Sequence, residues 1–350
     1  MSASAIDRII SDVDENELPR APALMPKGAL FSGRISVGIT AFLVAVSSVL
    51  QAQTPVERGK ALMDARKYNE AKTILEPVGS HDANAAFYLG QIAMEQSDAG
   101  KSVSWFEKAV DLNPRSSVYY DWLGRAYGVQ AQRASKLKLP FLASKTKSAW
   151  EKSIALDPDN LDARQDMILY YLQAPGFLGG GKDKARAMAQ EIRKRSAYRG
   201  GIAWARVCSD SKDQACVERE LNMLVASYPD SSAGYSSLAV FYATNRQFEK
   251  AFAIVDQRLK SKPNDAAALY AYGRTASVAG QNLDRGELAL KAYIAAPIPT
   301  GPPVAHAHYR LGLIQQMKGE KEMAKREYQA ALRLDPNLQE AKKALAAIGG

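Results

Sequence analysis

The chain has 350 residues, of which 47% are hydrophobic and 24% are charged, and its formal net charge is +9. This composition excludes a disordered chain and is sufficient for a large core, either as two globular domains or as one extended array of repeats. Lys and Arg are interleaved with Asp and Glu through most of the sequence, as on solvated helix faces. The positive charge therefore indicates a mild preference for acidic partners and does not indicate a nucleic-acid-binding arm.

The amino-terminal segment has the order of residues that is typical of a bacterial secretory signal. Lys27 and Arg34 precede an apolar run at residues 35–50, and a cleavage site is expected before Gln53. The run is shorter than the ~20 residues that a comfortable membrane span needs. We therefore predict a signal peptide at residues 25–52 and a periplasmic or secreted mature protein.

Two alternatives concern this segment. Residues 1–24 form a polar, acidic leader, which is unusual before a signal peptide, so Met25 is an alternative start. Leu50 is larger than the small residue that a cleavage site prefers. An uncleaved anchor through residues 35–50, with the rest of the chain facing the periplasm, is therefore the alternative to cleavage.

Residues 53–350 contain a repeated pattern. Leu89 and Gly90 in one copy align without a gap with Leu311 and Gly312 in another. The aromatic, alanine and proline positions that follow also coincide, namely Phe106 with Tyr328, Ala109 with Ala331 and Pro114 with Pro336. A fixed period of this kind predicts an array of similar units rather than two unrelated globular domains.

The residue types at these positions predict pairs of antiparallel helices. A small residue in the first helix allows close approach, its larger neighbours form one apolar stripe, and proline ends the second helix. The pattern resembles the tetratricopeptide repeat family, which implies an all-α fold, a right-handed α–α superhelix of about eight helical hairpins plus a C-terminal capping helix. The expected hairpin starts lie near residues 52, 83, 117, 161, 198, 232, 266 and 305, with the cap at 338–348. The resemblance is specific for the fold and not for a function.

A glycine-rich stretch at residues 176–183 has the spacing GxxxxGK of a phosphate-binding loop, with Asp183 where Ser or Thr should follow. Such a loop needs a preceding strand and a hydroxyl group for magnesium. The repeat register instead places a helix before the glycines, and the Asp183 carboxylate would repel phosphate. We therefore expect a lengthened turn and no cofactor, with a nucleotide-binding or accessory enzyme component as the alternative.

Other chemistry has little support in the sequence. His306 and His308 are two residues apart and point to different faces of a helix, so no metal site is expected. No Ser, His and Asp set has a catalytic motif around it, and the chain is predicted not to be an enzyme. The only two cysteines, Cys208 and Cys216, fall late in the first helix and early in the second helix of one hairpin. A disulfide across this turn is the preferred interpretation, and two free thiols are the alternative.

Two insertions interrupt the pattern and provide the main candidate for partner binding. One lies between Tyr127 and Trp150 and the other at residues 174–181, each in the turn between the two helices of its hairpin. Because the hairpins are consecutive, the insertions are expected side by side on one edge of the array. They carry the apolar residues Leu139, Pro140, Phe141, Phe177 and Leu178 and the basic residues Arg133, Lys136, Lys138, Lys145 and Lys182. Phe141 and Phe177 are predicted to anchor the partner, and Lys136, Lys138 and Lys182 to attract an acidic one.

The concave groove of first helices is the second candidate. The register places Gln91, Asp121, Arg125, Tyr270, Arg274, Tyr309 and Arg310 in this groove, and we single out Arg125, Tyr270 and Arg274 as candidate binding residues. The sequence thus predicts a non-catalytic scaffold that binds a protein or peptide in the bacterial cell envelope, with no nucleic-acid partner. A membrane-peripheral protein that uses the basic and apolar edge is a further alternative.

Overall fold

The computed structural model describes residues 53–296 and 302–349, so the predicted leader and signal peptide lie outside the described residues. Within these ranges the chain forms α-helices and one short 3-10 helix, Gly176–Leu178, and contains no strand. The helices are α1 Pro55–Asp64, α2 Tyr68–Leu75, α3 Ala83–Glu95, α4 Ala99–Leu112, α5 Ser117–Gln132, α6 Leu139–Leu156, α7 Leu161–Gln173, α8 Lys182–Arg195, α9 Ala197–Asp210, α10 Gln214–Ser227, α11 Ser232–Thr244, α12 Phe248–Ser261, α13 Ala266–Ala279, α14 Leu283–Ala295, α15 Val304–Met317, α16 Lys321–Leu334 and α17 Gln339–Gly349.

The described residues fall into two compact units, 53–142 and 143–349, which divide within α6. In the first unit α1 packs against α2 and α3, and α4 packs against both α3 and α5. In the second unit α7 pairs with α8, and each following pair repeats this arrangement up to α15 and α16, on which the terminal helix α17 packs. The predicted all-α fold is confirmed, and the 17 α-helices of the described residues roughly fit the expected eight hairpins plus a terminal helix.

Close approach between the two helices of a hairpin depends on the small residues that the sequence pattern identified. A Cβ atom added at Gly273 would lie 2.2 Å from Cγ of Leu290, and one added at Gly312 would lie 2.5 Å from the ring of Tyr328. No real Cβ atom packs at such distances. The small residue is therefore required by the large side chain that faces it, and the predicted role of these positions is confirmed.

A polar residue at the end of the turn between two hairpins caps the first helix of the following hairpin. Asn160 Oδ1 accepts a hydrogen bond from the backbone N–H of Ala163 at 3.0 Å, and Asp265 Oδ1 accepts one from Ala268 at 3.0 Å. Each bond satisfies a backbone donor that a helix leaves unpaired in its first turn. The hairpin boundaries are thus fixed by side chains as well as by proline.

Arg258 is the centre of a buried polar network that joins two of these turns. Its side chain is 2% exposed, and Nε donates to Asp265 Oδ2 at 2.6 Å. The two terminal nitrogens donate to the carbonyl oxygens of Pro229 and Asp230 at 2.9 and 2.8 Å and to Ser232 Oγ at 2.9 Å. The guanidinium therefore ties the start of α11 to the start of α13.

A second ionic cluster links α14 with α15. The Glu287 carboxylate lies 2.7 Å from Nζ of Lys291 and 2.7 Å from Nζ of Lys318, and its side chain is only 8% exposed. Burial alone would raise the pKa of the Glu287 carboxyl, but the hydrogen bonds from the two lysines outweigh burial and lower this pKa from 4.5 to about 2. Glu287 is therefore held as a carboxylate well into the acidic range.

Candidate partner-binding surfaces

The first insertion lengthens two helices instead of forming a long turn. Helix α5 continues to Gln132 and α6 begins at Leu139, so the connection consists of residues 133–138 only. The prediction that Leu139, Pro140 and Phe141 lie in the turn is wrong, because they form the first turn of α6. Proline is tolerated there, since the first backbone N–H groups of a helix have no acceptor within the helix.

Residues 133–141, which we call the basic–apolar segment, expose large apolar side chains between basic ones. Leu137 is 93% exposed and Phe141 is 63% exposed, and Lys136 and Lys138 are exposed beside them. Arg133 is also exposed, and its Nη1 donates to the backbone oxygen of Ser97 at 2.9 Å. Apolar side chains left in water and flanked by positive charge are typical of a surface that binds a partner with acidic character.

The second insertion forms a closed turn whose backbone donors are already used. Gly179, Gly180 and Gly181 donate their N–H groups to the carbonyl oxygens of Gly176, Pro175 and Tyr171. Tyr170 Oη also donates to the Leu178 oxygen at 2.6 Å. A phosphate loop presents free N–H groups after a strand. These three N–H groups are occupied, and the element before the turn is the helix α7.

The side chains of this glycine-rich turn differ in their exposure to solvent. Phe177 is 82% exposed, whereas Leu178 is partly buried and packs against a core cluster that includes Trp150 and Tyr170. Lys182 is exposed, but its Nζ lies 3.1 Å from Oδ2 of Asp210. The two insertions belong to different compact units, and the expectation that they form one surface stays a prediction. Lys182 has an acidic neighbour within its own unit.

The predicted groove residues have different surroundings. Arg125 lies 3.1 Å from the buried Asp121 carboxylate, one helical turn earlier, and its guanidinium is 5.1 Å from the ring centre of Trp122. Tyr270 is only 7% exposed and packs against Tyr293 with ring centres 5.3 Å apart. Tyr270 is thus part of the core, which a register position alone does not reveal, because neighbouring helices decide how much of a side chain stays exposed.

Arg274 lies one turn after Tyr270 on α13 and is half-buried. Burial and the nearby guanidinium of Arg310 on α15 lower the pKa of Arg274 to about 10, against a smaller raising effect of Tyr270. The sequence identified Arg274 and Arg310 separately as groove residues. Their closeness follows only from the packing of α13 on α15.

The two cysteines are joined in the structure. Cys208 lies in α9 and Cys216 in α10, their Cα atoms are 5.8 Å apart, and the two sulfur atoms form a disulfide. Both side chains are buried in the core of this hairpin. Arg219 Nη2, also on α10, lies 3.3 Å from Sγ of Cys216. The bridge therefore crosses the turn at residues 211–213, which ends the first helix and starts the second.

The remaining candidates for site chemistry are the histidines and clusters of metal-binding side chains within residues 53–296 and 302–349. In these ranges no group of three His, Cys, Asp or Glu side chains is placed to hold a metal ion. His308 Nδ1 lies 2.6 Å from a carboxylate oxygen of Glu327, and His306 is not part of this contact. No helix of the described part is long and apolar enough to cross a membrane.

Comparisons with known proteins agree with the repeat architecture. The sequence pattern of the tetratricopeptide repeat matches residues 56–117 and, separately, residues 305–338. No curated protein matches the chain in sequence.

Similar solved structures include three bacterial proteins. A tetratricopeptide repeat protein of Parabacteroides merdae is 12% identical and has a TM-score of 0.46, with 77% of this chain and 99% of that chain covered. A thermophilic TPR protein of Thermus thermophilus is 17% identical with a TM-score of 0.44, over 53% of this chain and 96% of that one. The C-terminal part of a TPR repeat-containing protein of Cytophaga hutchinsonii is 13% identical with a TM-score of 0.40, over 83% and 99%.

Proposed function

Because the chain contains tetratricopeptide repeats, we propose that it is a non-catalytic scaffold that binds a protein or peptide partner in the bacterial cell envelope. The observation that carries this proposal is the exposure of Leu137 and Phe141 in the basic–apolar segment. Single exposed apolar side chains such as Leu288 also occur in the regular repeats, but Leu137 and Phe141 lie close together in sequence and between exposed lysines. Exposed apolar groups gathered at one place are typical of a surface that a partner covers.

The charge around these side chains supports an acidic partner. Lys136 and Lys138 are exposed within two residues of Leu137. Positive groups at the rim of an apolar patch mainly raise the rate of association with a negatively charged surface, and salt weakens this effect. The proposed binding therefore combines apolar anchors with a salt-sensitive approach of the partner.

The glycine-rich turn gives no support to the alternative of nucleotide binding. Its N–H groups are bonded within the turn and Lys182 is paired with Asp210. A nucleotide would have to break these bonds before its phosphates could be held. The scaffold proposal needs no such rearrangement.

Location in the envelope is supported by two independent features. The order of charged and apolar residues before Gln53 is that of an exported protein, and the Cys208–Cys216 disulfide suits an oxidising compartment. Mass spectrometry of the protein from the periplasmic fraction is expected to find an amino terminus at or near Gln53. Finding residues 25–52 still attached would contradict cleavage, and recovery of the protein only from the cytoplasm would contradict export.

Site-specific photo-crosslinking tests the proposed partner surface. A benzoylphenylalanine residue is introduced at Leu137, at Phe141 or, as a control, at Leu288, which is 67% exposed on α14. Irradiation of intact cells is expected to attach the same protein to positions 137 and 141 and not to position 288. The yield should fall when the envelope fraction is irradiated in high salt. Equal products from all three positions, or no product from 137 and 141, would contradict the proposal.

A further inference from the structure

Two arginines of neighbouring first helices lie close together in the second unit. Arg274 is on α13 and Arg310 is on α15, and these helices pack side by side. Both side chains are half-buried. The Arg310 guanidinium lies 5.3 Å from the ring centre of Tyr309, which limits where it can move. The packing of the two helices thus brings two positive groups near enough for the Arg310 charge to lower the pKa of Arg274.

Both guanidinium groups have donors without acceptors. Arg274 Nη1 and Arg310 Nε are buried atoms with no hydrogen-bond partner among the described residues. Neither side chain forms an ion pair with a carboxylate of residues 53–296 or 302–349. Arg258 shows the usual arrangement in the same unit, because every nitrogen of its buried guanidinium donates to Asp265, to Ser232 or to a backbone oxygen. Arg274 and Arg310, which we call the arginine pair, lack such partners.

This arrangement is unfavourable in the free protein. Partial burial removes water from the two charges, and each charge disfavours the other. The lowered pKa of Arg274 has the same two causes. An oxyanion bound between the guanidinium groups would supply the missing acceptors and cancel the repulsion, and the planar guanidinium fork matches the geometry of a carboxylate.

The surroundings of the arginine pair suit a peptide better than a free ion. Val278 lies one turn after Arg274 on α13 and is 47% exposed, and Met317 lies two turns after Arg310 on α15 and is 48% exposed. Side chains four and seven residues apart lie on the same side of a helix. Exposed apolar side chains therefore continue from the arginine pair along both helices.

We propose that the arginine pair binds a side-chain carboxylate of an acidic peptide segment on the first-helix face formed by α13 and α15. This site is separate from the basic–apolar segment, which lies in the other unit, and it does not depend on the function proposed for that segment. A peptide bound here places its carboxylate between the two guanidinium groups and its apolar side chains along Val278 and Met317.

The test uses the full mature chain and a fluorescent hexaglutamate peptide that is acetylated and amidated, so that only side-chain carboxylates are available. Fluorescence anisotropy is expected to show saturable binding that weakens at least about 10-fold in Arg274→Gln and in Arg310→Gln, since a charge-assisted hydrogen bond is lost. Arg326→Gln removes the same charge from an exposed position on α16 and is expected to change the affinity less than about 2-fold.

Thermal melting provides a second readout. An arginine that has no ion pair with the described residues contributes little to folding, so Arg274→Gln should melt within about 2 °C of the wild type or above it. Equal peptide affinity in Arg274→Gln and wild type would overturn the proposal. So would a rise in melting temperature with inorganic phosphate in the absence of hexaglutamate binding, because the site would then take a phosphate and not a carboxylate. Crosslinking from Leu137 should be unchanged in Arg274→Gln, which separates the two sites.

Discussion

Replacing Arg258 by methionine is expected to lower the free energy of unfolding by about 3–5 kcal/mol, because removing one partner of a buried ion pair leaves the other without compensation. The Arg258 and Asp265 side chains are 2% and 4% exposed, so water cannot replace the lost bond without opening the structure. Methionine fills most of the volume but bonds neither to Asp265 nor to the oxygens of Pro229 and Asp230. The effect is therefore electrostatic and is not caused by a cavity.

Urea unfolding followed by circular dichroism at 222 nm measures this loss. The control is Arg285→Met, because Arg285 pairs with Asp256 at 2.5 Å but the two side chains are 54% and 41% exposed. An exposed pair contributes at most about 1 kcal/mol. The double variant Arg258→Met/Asp265→Asn should recover part of the loss, because the buried charge is removed while an N-cap is kept. A loss below about 1 kcal/mol in Arg258→Met, or an equal loss in the control, would refute this reasoning.

Three further predictions concern the glycine-rich turn, the ionic cluster on α14 and the disulfide. Gly180→Ala should lower the free energy of unfolding by about 1–3 kcal/mol in urea, because the new Cβ would lie 1.8 Å from the Ala174 oxygen; wild-type stability would contradict the closed turn. Glu287→Gln should be less stable to urea than the wild type above pH 4.5, and this difference in stability should shrink as the pH falls towards 2. The reason is that a carboxylate whose pKa is lowered to about 2 stabilises the fold fully above its ordinary pKa and loses this effect on protonation. A constant difference in stability between pH 4.5 and 2 would contradict the assignment. Replacing Cys208 and Cys216 together by serine should cost about 2 kcal/mol in urea without reductant, since the bridge closes a short loop; free thiols in alkylated, non-reduced periplasmic protein would contradict the bridge.

The fold was predictable because its signals are local and repeated. Gly273 and Gly312 must be small for the same reason, since each faces a large side chain of the second helix. The residues between two such positions need only form helices. Proline followed by Asp, Asn or Ser then marks the start of the first helix of the next hairpin. Repetition of this pattern determines which helices pair, so long-range contacts could be inferred from one hairpin.

The candidate sites were less predictable because they depend on packing between repeats. The sequence indicated an insertion between Tyr127 and Trp150, but the longer α5 and α6 take up much of it, and helical periodicity alone did not distinguish these helical residues from a loop. Tyr270 and Arg274 occupy successive turns of one helix face, yet Tyr270 is buried by Tyr293 while Arg274 stays half-exposed. The closeness of Arg274 to Arg310 needs the contact between α13 and α15, to which no local signal points.

The affinity of the crosslinked partner for defined variants tests the scaffold proposal most directly. Dissociation constants are measured for the wild type, for Leu137→Ser/Phe141→Ser and for the control Leu288→Ser/Leu334→Ser, whose residues are also exposed. The first variant should bind at least about 30-fold more weakly, from about 2 kcal/mol for the loss of an apolar anchor, with an unchanged melting temperature. The control should stay within about 2-fold of wild type. Equal dissociation constants for the two double variants would contradict binding through the basic–apolar segment.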